Sequence, residues 1–149
     1  MWTAALRRGS MAEPMDPIAE QLLAALRTLP RSDAIAQALS LCRDGSVRTP
    51  EAKCAAAHVL LRSDDAKVVQ AAHDLALSAA GKHADAMPLA ARCYDRLRVL
   101  AGEPQKFGTC RNADGSMYAV DPRTTDSERA KWGLPPLAVL AERVEQENR

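Results

Sequence analysis

A block of polar residues late in the chain has side chains that could hold a ligand. Gln105 and Thr109 flank Gly108, and an amide and a hydroxyl at this spacing can bind a polar molecule or fix neighbouring backbone. Asp95 lies on the helix predicted to lead into the block, although an ion pair with neighbouring arginines would also explain this acid. The candidate ligand-binding residues are Asp95, Arg98, Gln105, Phe107 and Thr109.

Cys110 completes the block and is a possible nucleophile. A cysteine nucleophile needs a lowered pKa and a nearby base. The histidines are His58, His73 and His83, all far upstream, so only the fold could bring one to the thiol. A partly exposed thiol without catalytic function is the other interpretation.

Two further groupings could bind ions. A set of cations surrounds the block and would suit a phosphate or carboxylate, but acids are interleaved with it, so a mixed solvated face is the alternative. The set is Arg92, Arg96, Arg98, Lys106 and Arg111. Cys54 and His58 have the i, i+4 spacing of two metal ligands, which His73, His83 or Cys93 could complete. Because no second paired motif supports such a site, we predict no metal and no cofactor.

Composition narrows the class of protein. The 149 residues are 47% hydrophobic and 26% charged, with a net charge of +1, which is typical of one globular domain. No run of basic residues indicates a nucleic-acid or membrane surface. Residues 1–12 are interpreted as a disordered tail or an over-extended start, and 13–149 as a single helical domain. The start lacks the order of a secretory signal, so we expect a cytoplasmic protein.

Helix signals predict the elements that must position these residues. Asp16-Pro17 and Thr49-Pro50 each combine a capping side chain with a first-turn proline. The nearly continuous apolar run over 52–61 indicates a central helix. Together with the high alanine content, these signals predict a mainly α fold of six or seven short helices packed as antiparallel hairpins.

One segment departs from the helical pattern. Alternation over 107–111, a turn at Asn112–Gly115 and the run 117–120 predict one small β-hairpin near residues 107–120. Two strands alone are marginally stable, so the hairpin should lie against the helices.

Several positions together resemble a bacterial family of unknown function. Its members have a Gly-x-Pro-Gln-x-aromatic-Gly-Thr motif, a preceding Asp-Arg and a closing Arg-x-x-x-Gly-Leu-Pro-Pro-Leu. The matching positions are Asp95, Arg96, Gly102, Pro104, Gln105, Phe107, Gly108, Thr109, Arg129, Gly133, Leu134, Pro135, Pro136 and Leu137.

The resemblance covers roughly residues 58–142 and implies a shared fold and a shared site, without a reaction. Upstream, Asp64 and Gln70 resemble the acid and the glutamine of a Gln-His-Ala-Asp segment. The chain has Cys110 where the family has a final Gln, and Arg62 where it has an upstream His.

Two functions are compatible with these patterns. The first is a cytoplasmic binding or accessory module that recognises a small polar molecule or a protein partner around the Gln105–Thr109 motif. The alternative is a small enzyme with a polar pocket formed by Asp95, Gln105, Thr109 and Cys110. Convergence of these side chains on a concave pocket would favour the enzyme. A binding module should instead expose an apolar patch, for example along Leu137, Leu140 and Val144.

Overall fold

The fold, taken from a computed structural model that describes residues 15–147, is mainly helical, as the sequence predicts. The tail predicted over 1–12 lies outside the described residues. Seven helices form in the described part of the chain. They are α1 (Pro17–Thr28), α2 (Arg31–Arg43), α3 (Pro50–Leu60), α4 (Ala66–Ser78), α5 (Ala86–Leu100), α6 (Asp126–Lys131) and α7 (Leu137–Glu147).

Side-chain caps begin four of these helices. The Asp16 carboxylate accepts the Ile18 N–H at 2.8 Å, and the Thr49 hydroxyl accepts the Ala52 N–H at 3.1 Å, each before a proline at the first helical position. Asp65 and Thr125 cap α4 and α6 in the same way. Each cap accepts an N–H group that has no partner within the helix. Because the capping residue types are recognisable in the sequence, these helix starts could be predicted.

The core is built around α3. Each helix from α1 to α5 packs against its neighbour in sequence, and α3 contacts all four of the others. Its buried residues are mostly alanines, whose small side chains let helices approach closely. The predicted central helix is therefore confirmed. Within residues 15–147 no helix has both the length and the apolar character needed to cross a bilayer.

The predicted β-hairpin near 107–120 is not formed. The described residues contain no strand there, only two isolated bridges, between Gln105 and Val120 and between Arg111 and Met117. The turn does form, since the Gly115 N–H donates to the Asn112 carbonyl at 2.9 Å. Strands fail to form because side chains, described next, take the backbone N–H groups that a ladder would need.

Candidate functional site

The Asp95 carboxylate is the centre of the motif and lies fully buried on α5. Its Oδ1 accepts the N–H groups of Lys106 and Phe107, both at 2.8 Å. Its Oδ2 accepts the N–H groups of Gly108 at 3.1 Å and Thr109 at 3.0 Å, and the Thr109 hydroxyl at 2.7 Å. Four successive backbone donors and one hydroxyl thus replace water around the carboxylate, which makes burial of the charge tolerable.

Two of the arginines near Asp95 on α5, Arg96 and Arg98, have other partners. Arg98 Nε donates to the Pro104 carbonyl at 2.6 Å, and Arg96 Nη2 lies 2.7 Å from an Asp64 carboxylate oxygen. The local ion pair considered from sequence spacing is therefore not the role of Asp95, whose hydrogen bonds go to the loop after α5. Arg98 fixes the start of the same loop.

Gln105 is also fully buried and cross-links the loop. Its Oε1 accepts the Cys110 N–H at 2.8 Å, and its Nε2 donates to the carbonyls of Cys110 and Tyr118, both at 3.1 Å. Its backbone N–H donates to Ala119 at 2.9 Å. The glutamine side chain thus makes the bonds that a paired strand would otherwise make.

Phe107 fills the space between three elements and has no exposed surface. Its ring centroid lies 6.1 Å from that of Tyr94 on α5 and 5.4 Å from that of Trp132, which follows α6. The Phe107 carbonyl accepts the Arg129 Nε–H at 2.8 Å. Phe107 therefore holds α5, the motif loop and α6 together, and its ring is not available to a ligand.

Arg129 is a member of this network to which sequence reasoning gave no role. It is 2% exposed and donates through Nη1 to the Thr124 carbonyl at 3.2 Å and to Asp126 at 3.0 Å. Asp126 in turn accepts the Leu137 N–H at 2.9 Å, which connects α6 to the start of α7. The available signal was its position in the family motif, Arg-x-x-x-Gly-Leu-Pro-Pro-Leu. Its Nη2 has no hydrogen-bond partner among the described residues.

Gly108 brings the loop around Gln105 into contact with the start of α7. Its φ of +105° is a conformation that other residues rarely adopt. A Cβ atom placed there would lie 3.0 Å from Leu137 Cδ1 and 3.6 Å from Leu140 Cδ1. The first turns of α7 therefore pack on the motif backbone. The apolar patch expected along Leu137, Leu140 and Val144 is not exposed, since Val144 is buried and both leucines are partly buried.

Replacing Gly108 with alanine should destabilise the protein through two effects. The positive φ costs about 1–2 kcal/mol for an L-residue, and the overlap with Leu137 adds about 1–3 kcal/mol. Gly102→Ala is the matched control, because its φ is +75° but nothing lies within 4 Å of the added Cβ. Urea unfolding should show the larger loss for Gly108→Ala. Equal losses would mean that α7 does not pack on Gly108.

Cys110 lacks the thiolate character that a nucleophile needs. Burial, with a smaller contribution from the Asp95 carboxylate, raises the pKa of the Cys110 thiol to about 11. At neutral pH the group is therefore the protonated thiol. Its backbone, rather than its sulfur, is held by Gln105.

The predicted cation set is spread over several separate contacts. Lys106 Nζ lies 2.8 Å from the Glu128 carboxylate, while Arg96 pairs with Asp64 and Arg98 lies 3.8 Å from Glu103. The residues thus form a mixed surface with opposite charges interleaved. Cys54 and His58 were considered above as a pair of metal ligands. Within residues 15–147, no group of three or more His, Cys, Asp or Glu side chains is placed to hold a metal ion.

Beside the motif lies an open cavity, which we call the Lys106 groove. Its volume is about 360 Å³, and its lining residues are Tyr94, Arg98, Lys106, Asp121, Arg123, Thr124 and Glu128. Three of these side chains are cationic and two are acidic. Of the predicted site residues, Arg98 lines this groove, whereas Asp95, Gln105 and Phe107 are fully buried behind it.

Comparisons of the chain with protein-family models, with curated proteins and with solved structures find no match. The resemblance of the motif positions to an uncharacterised bacterial family therefore stays a prediction.

Proposed function

We propose that the protein is a binding module that holds a small polar molecule with an anionic group in the Lys106 groove. The observation that carries this proposal is which motif side chain faces the groove. The Asp95 carboxylate fixes the backbone from Lys106 to Thr109, and between the buried side chains of Gln105 and Phe107 it is Lys106 that reaches the groove. The motif thus builds a rigid edge and presents one cation on it.

The groove combines features suited to an anion with an unsaturated or polar body. Lys106 Nζ lies 5.6 Å from the Tyr94 ring centroid, which leaves an aromatic surface beside the charge. Arg123 is 86% exposed and lies 2.9 Å from Asp121. Arg123 donates to Asp121 through both Nε and Nη2, so an entering carboxylate or phosphate would compete with Asp121 for charge-assisted bonds to this guanidinium.

The small-enzyme alternative is less well supported. Asp95 and Gln105 have no exposed surface, and their polar atoms are bonded to the loop that they hold. The Cys110 thiol is protonated at neutral pH, as its raised pKa of about 11 requires. The side chains proposed for the pocket are those of Asp95, Gln105, Thr109 and Cys110. They lie close together, but they surround the backbone of their own loop and not a space for a substrate.

The resemblance to the uncharacterised family supports a structural role for the motif. Many of its matching positions are members of the same network, in which Asp95, Gln105, Phe107, Gly108 and Arg129 are all buried. We propose that relatives with this motif build the same anchored loop. Their ligands would then differ through the residues that line the groove.

A thermal-shift screen with carboxylate- and phosphate-bearing metabolites tests the proposed function. Lys106→Gln and Arg123→Gln each remove one of the three groove cations and leave the hydrogen bonds of the buried network in place. We expect each to weaken a confirmed ligand at least about tenfold, the value of one charge-assisted bond.

Lys67→Gln, an exposed cation on α4 outside the groove, is the matched control and should leave binding unchanged. A ligand that binds equally well to both groove variants, or a screen without any ligand, would contradict the proposal.

A further inference from the structure

A second cavity lies away from the motif, between α1, α3 and the turn before α5. We call it the histidine cavity. Its volume is about 200 Å³, and it shares no lining residue with the Lys106 groove. Ala19 and Leu23 of α1 and Ala55 of α3 form apolar walls, while His58, His83 and Asp85 bring polar groups to it. A mostly apolar space with a few convergent polar groups is the usual form of a small-molecule site.

The charged residues that line the histidine cavity are acids, although Arg92 lies close enough to act on His58. Glu51 and Asp85 are its acidic lining residues, and no lysine or arginine is among the described residues that line it. Burial, with a smaller contribution from Arg92, lowers the pKa of His58, against the opposing effect of Asp85. His58 is therefore neutral at neutral pH and does not cancel the negative field.

The polar groups at this cavity have unused hydrogen-bonding capacity. His58 is only partly exposed, yet its ring makes no hydrogen bond within residues 15–147. His83 Nδ1 accepts the Asp85 N–H at 3.1 Å, so when neutral this histidine carries its proton on Nε2. Asp85 precedes α5 at the capping position, but its carboxylate makes no capping hydrogen bond. The groups that a ligand could reach are thus the His58 ring, His83 Nε2 and the Asp85 carboxylate, which is 68% exposed and lies 4.0 Å from His83 Nδ1.

We propose that the histidine cavity binds a small organic ammonium compound, with its cationic head at Asp85 and Glu51 and its apolar body against Ala19, Leu23 and Ala55. A cation is favoured because the charged lining residues are acids, and an apolar body because the walls are hydrocarbon. A compound of the size of benzylammonium suits the volume. This site is independent of the Lys106 groove.

Benzylamine, benzyl alcohol and benzoate are matched probes, because they share a ring and differ in charge. Calorimetric titration of the full chain measures the affinity of each probe. Two-dimensional NMR of the histidine rings shows where the probe binds. We expect benzylamine to bind at least about tenfold more tightly than benzyl alcohol, as one charge-assisted bond implies, and benzoate not to bind. The resonances of His58 and His83 should move, while those of His73, which lines a different cavity, should not.

Two variants test the acidic partners separately. Asp85→Asn should weaken benzylamine about tenfold without loss of stability, since its carboxylate makes no capping bond. Glu51→Gln should also weaken it and provides a second test if Asp85→Asn folds poorly. Asp33→Asn, an exposed acid on α2, is the matched control and should change nothing.

The proposal is overturned if benzyl alcohol binds as tightly as benzylamine, which would make the cavity a purely apolar space. It is also overturned if benzylamine moves only His73, or if no probe binds at millimolar concentration. The Lys106 groove is tested with anionic metabolites and its own variants, and no histidine is among its lining residues. Either proposal can therefore be contradicted without the other.

Discussion

Asp95→Ala should lower the free energy of unfolding by about 3–5 kcal/mol, a loss that is exceptional for one substitution. The alanine leaves four backbone N–H groups and the Thr109 hydroxyl without their acceptor, around a carboxylate position that is fully buried. Buried donors without partners cost far more than the net value of the bonds themselves. Urea denaturation followed by circular dichroism measures the loss.

Asp95→Asn separates the charge from the shape. The amide fills the same space but turns one acceptor into a donor that faces backbone N–H groups, so we expect most of the loss to remain. Asp74→Asn, on the exposed part of α4, is the matched control and should stay within about 0.5 kcal/mol of the natural protein. A near-natural stability of Asp95→Asn would show that the carboxylate does not organise the loop.

Arg129→Ala should cost about 3–5 kcal/mol, because it combines a cavity with lost buried hydrogen bonds. The Phe107 carbonyl loses its donor, and Asp126 loses the guanidinium that holds it while it accepts the Leu137 N–H. The effect should therefore extend to α7. Thermal and urea unfolding measure the loss, and amide exchange of α7 residues reports its spread.

Arg129→Lys tests whether geometry or charge matters at this position. A lysine keeps the charge, but a single ammonium cannot reproduce the planar fork that serves Phe107, Thr124 and Asp126 together. We expect it to lose at least half as much stability as the alanine variant. If the lysine variant is as stable as the natural protein, charge alone explains the burial of Arg129.

Local rules predicted the helices well. Asp16, Thr49 and Asp65 cap their helices through hydrogen bonds to residues two or three positions later, so their signals are contained in short windows. The alanine-rich run of α3 similarly predicted its central place, because a helix that is apolar around most of its circumference must be covered on most sides.

The motif loop could not be predicted in the same way. The alternation over 107–111 has the side-chain period of a strand, but it contains no information on where the backbone N–H groups donate. Asp95 accepts those groups from residues 106–109, and only the fold shows this. Arg129 was missed for a related reason, since an arginine is expected at the surface unless its buried partner, here the Phe107 carbonyl, is known.

The histidine cavity shows how separate positions become a site through packing. Cys54 and His58 share a face of α3, and this spacing alone suggested a pair of metal ligands. Contact of α3 with α1 and α5 instead places apolar residues of α1 and the turn residues His83 and Asp85 around that face. The resulting surroundings are acidic and apolar, which fits an organic cation.

Hydrogen exchange of the amides of Lys106, Phe107, Gly108 and Thr109 tests most directly whether the Asp95 carboxylate holds the motif. These residues lie outside helices and strands, so an ordinary loop would exchange them quickly. We expect protection comparable to that of α5 amides in the ligand-free protein, and loss of this protection in Asp95→Asn. Exchange at the rate of an exposed loop in the natural protein would contradict the anchored motif on which the Lys106 groove depends.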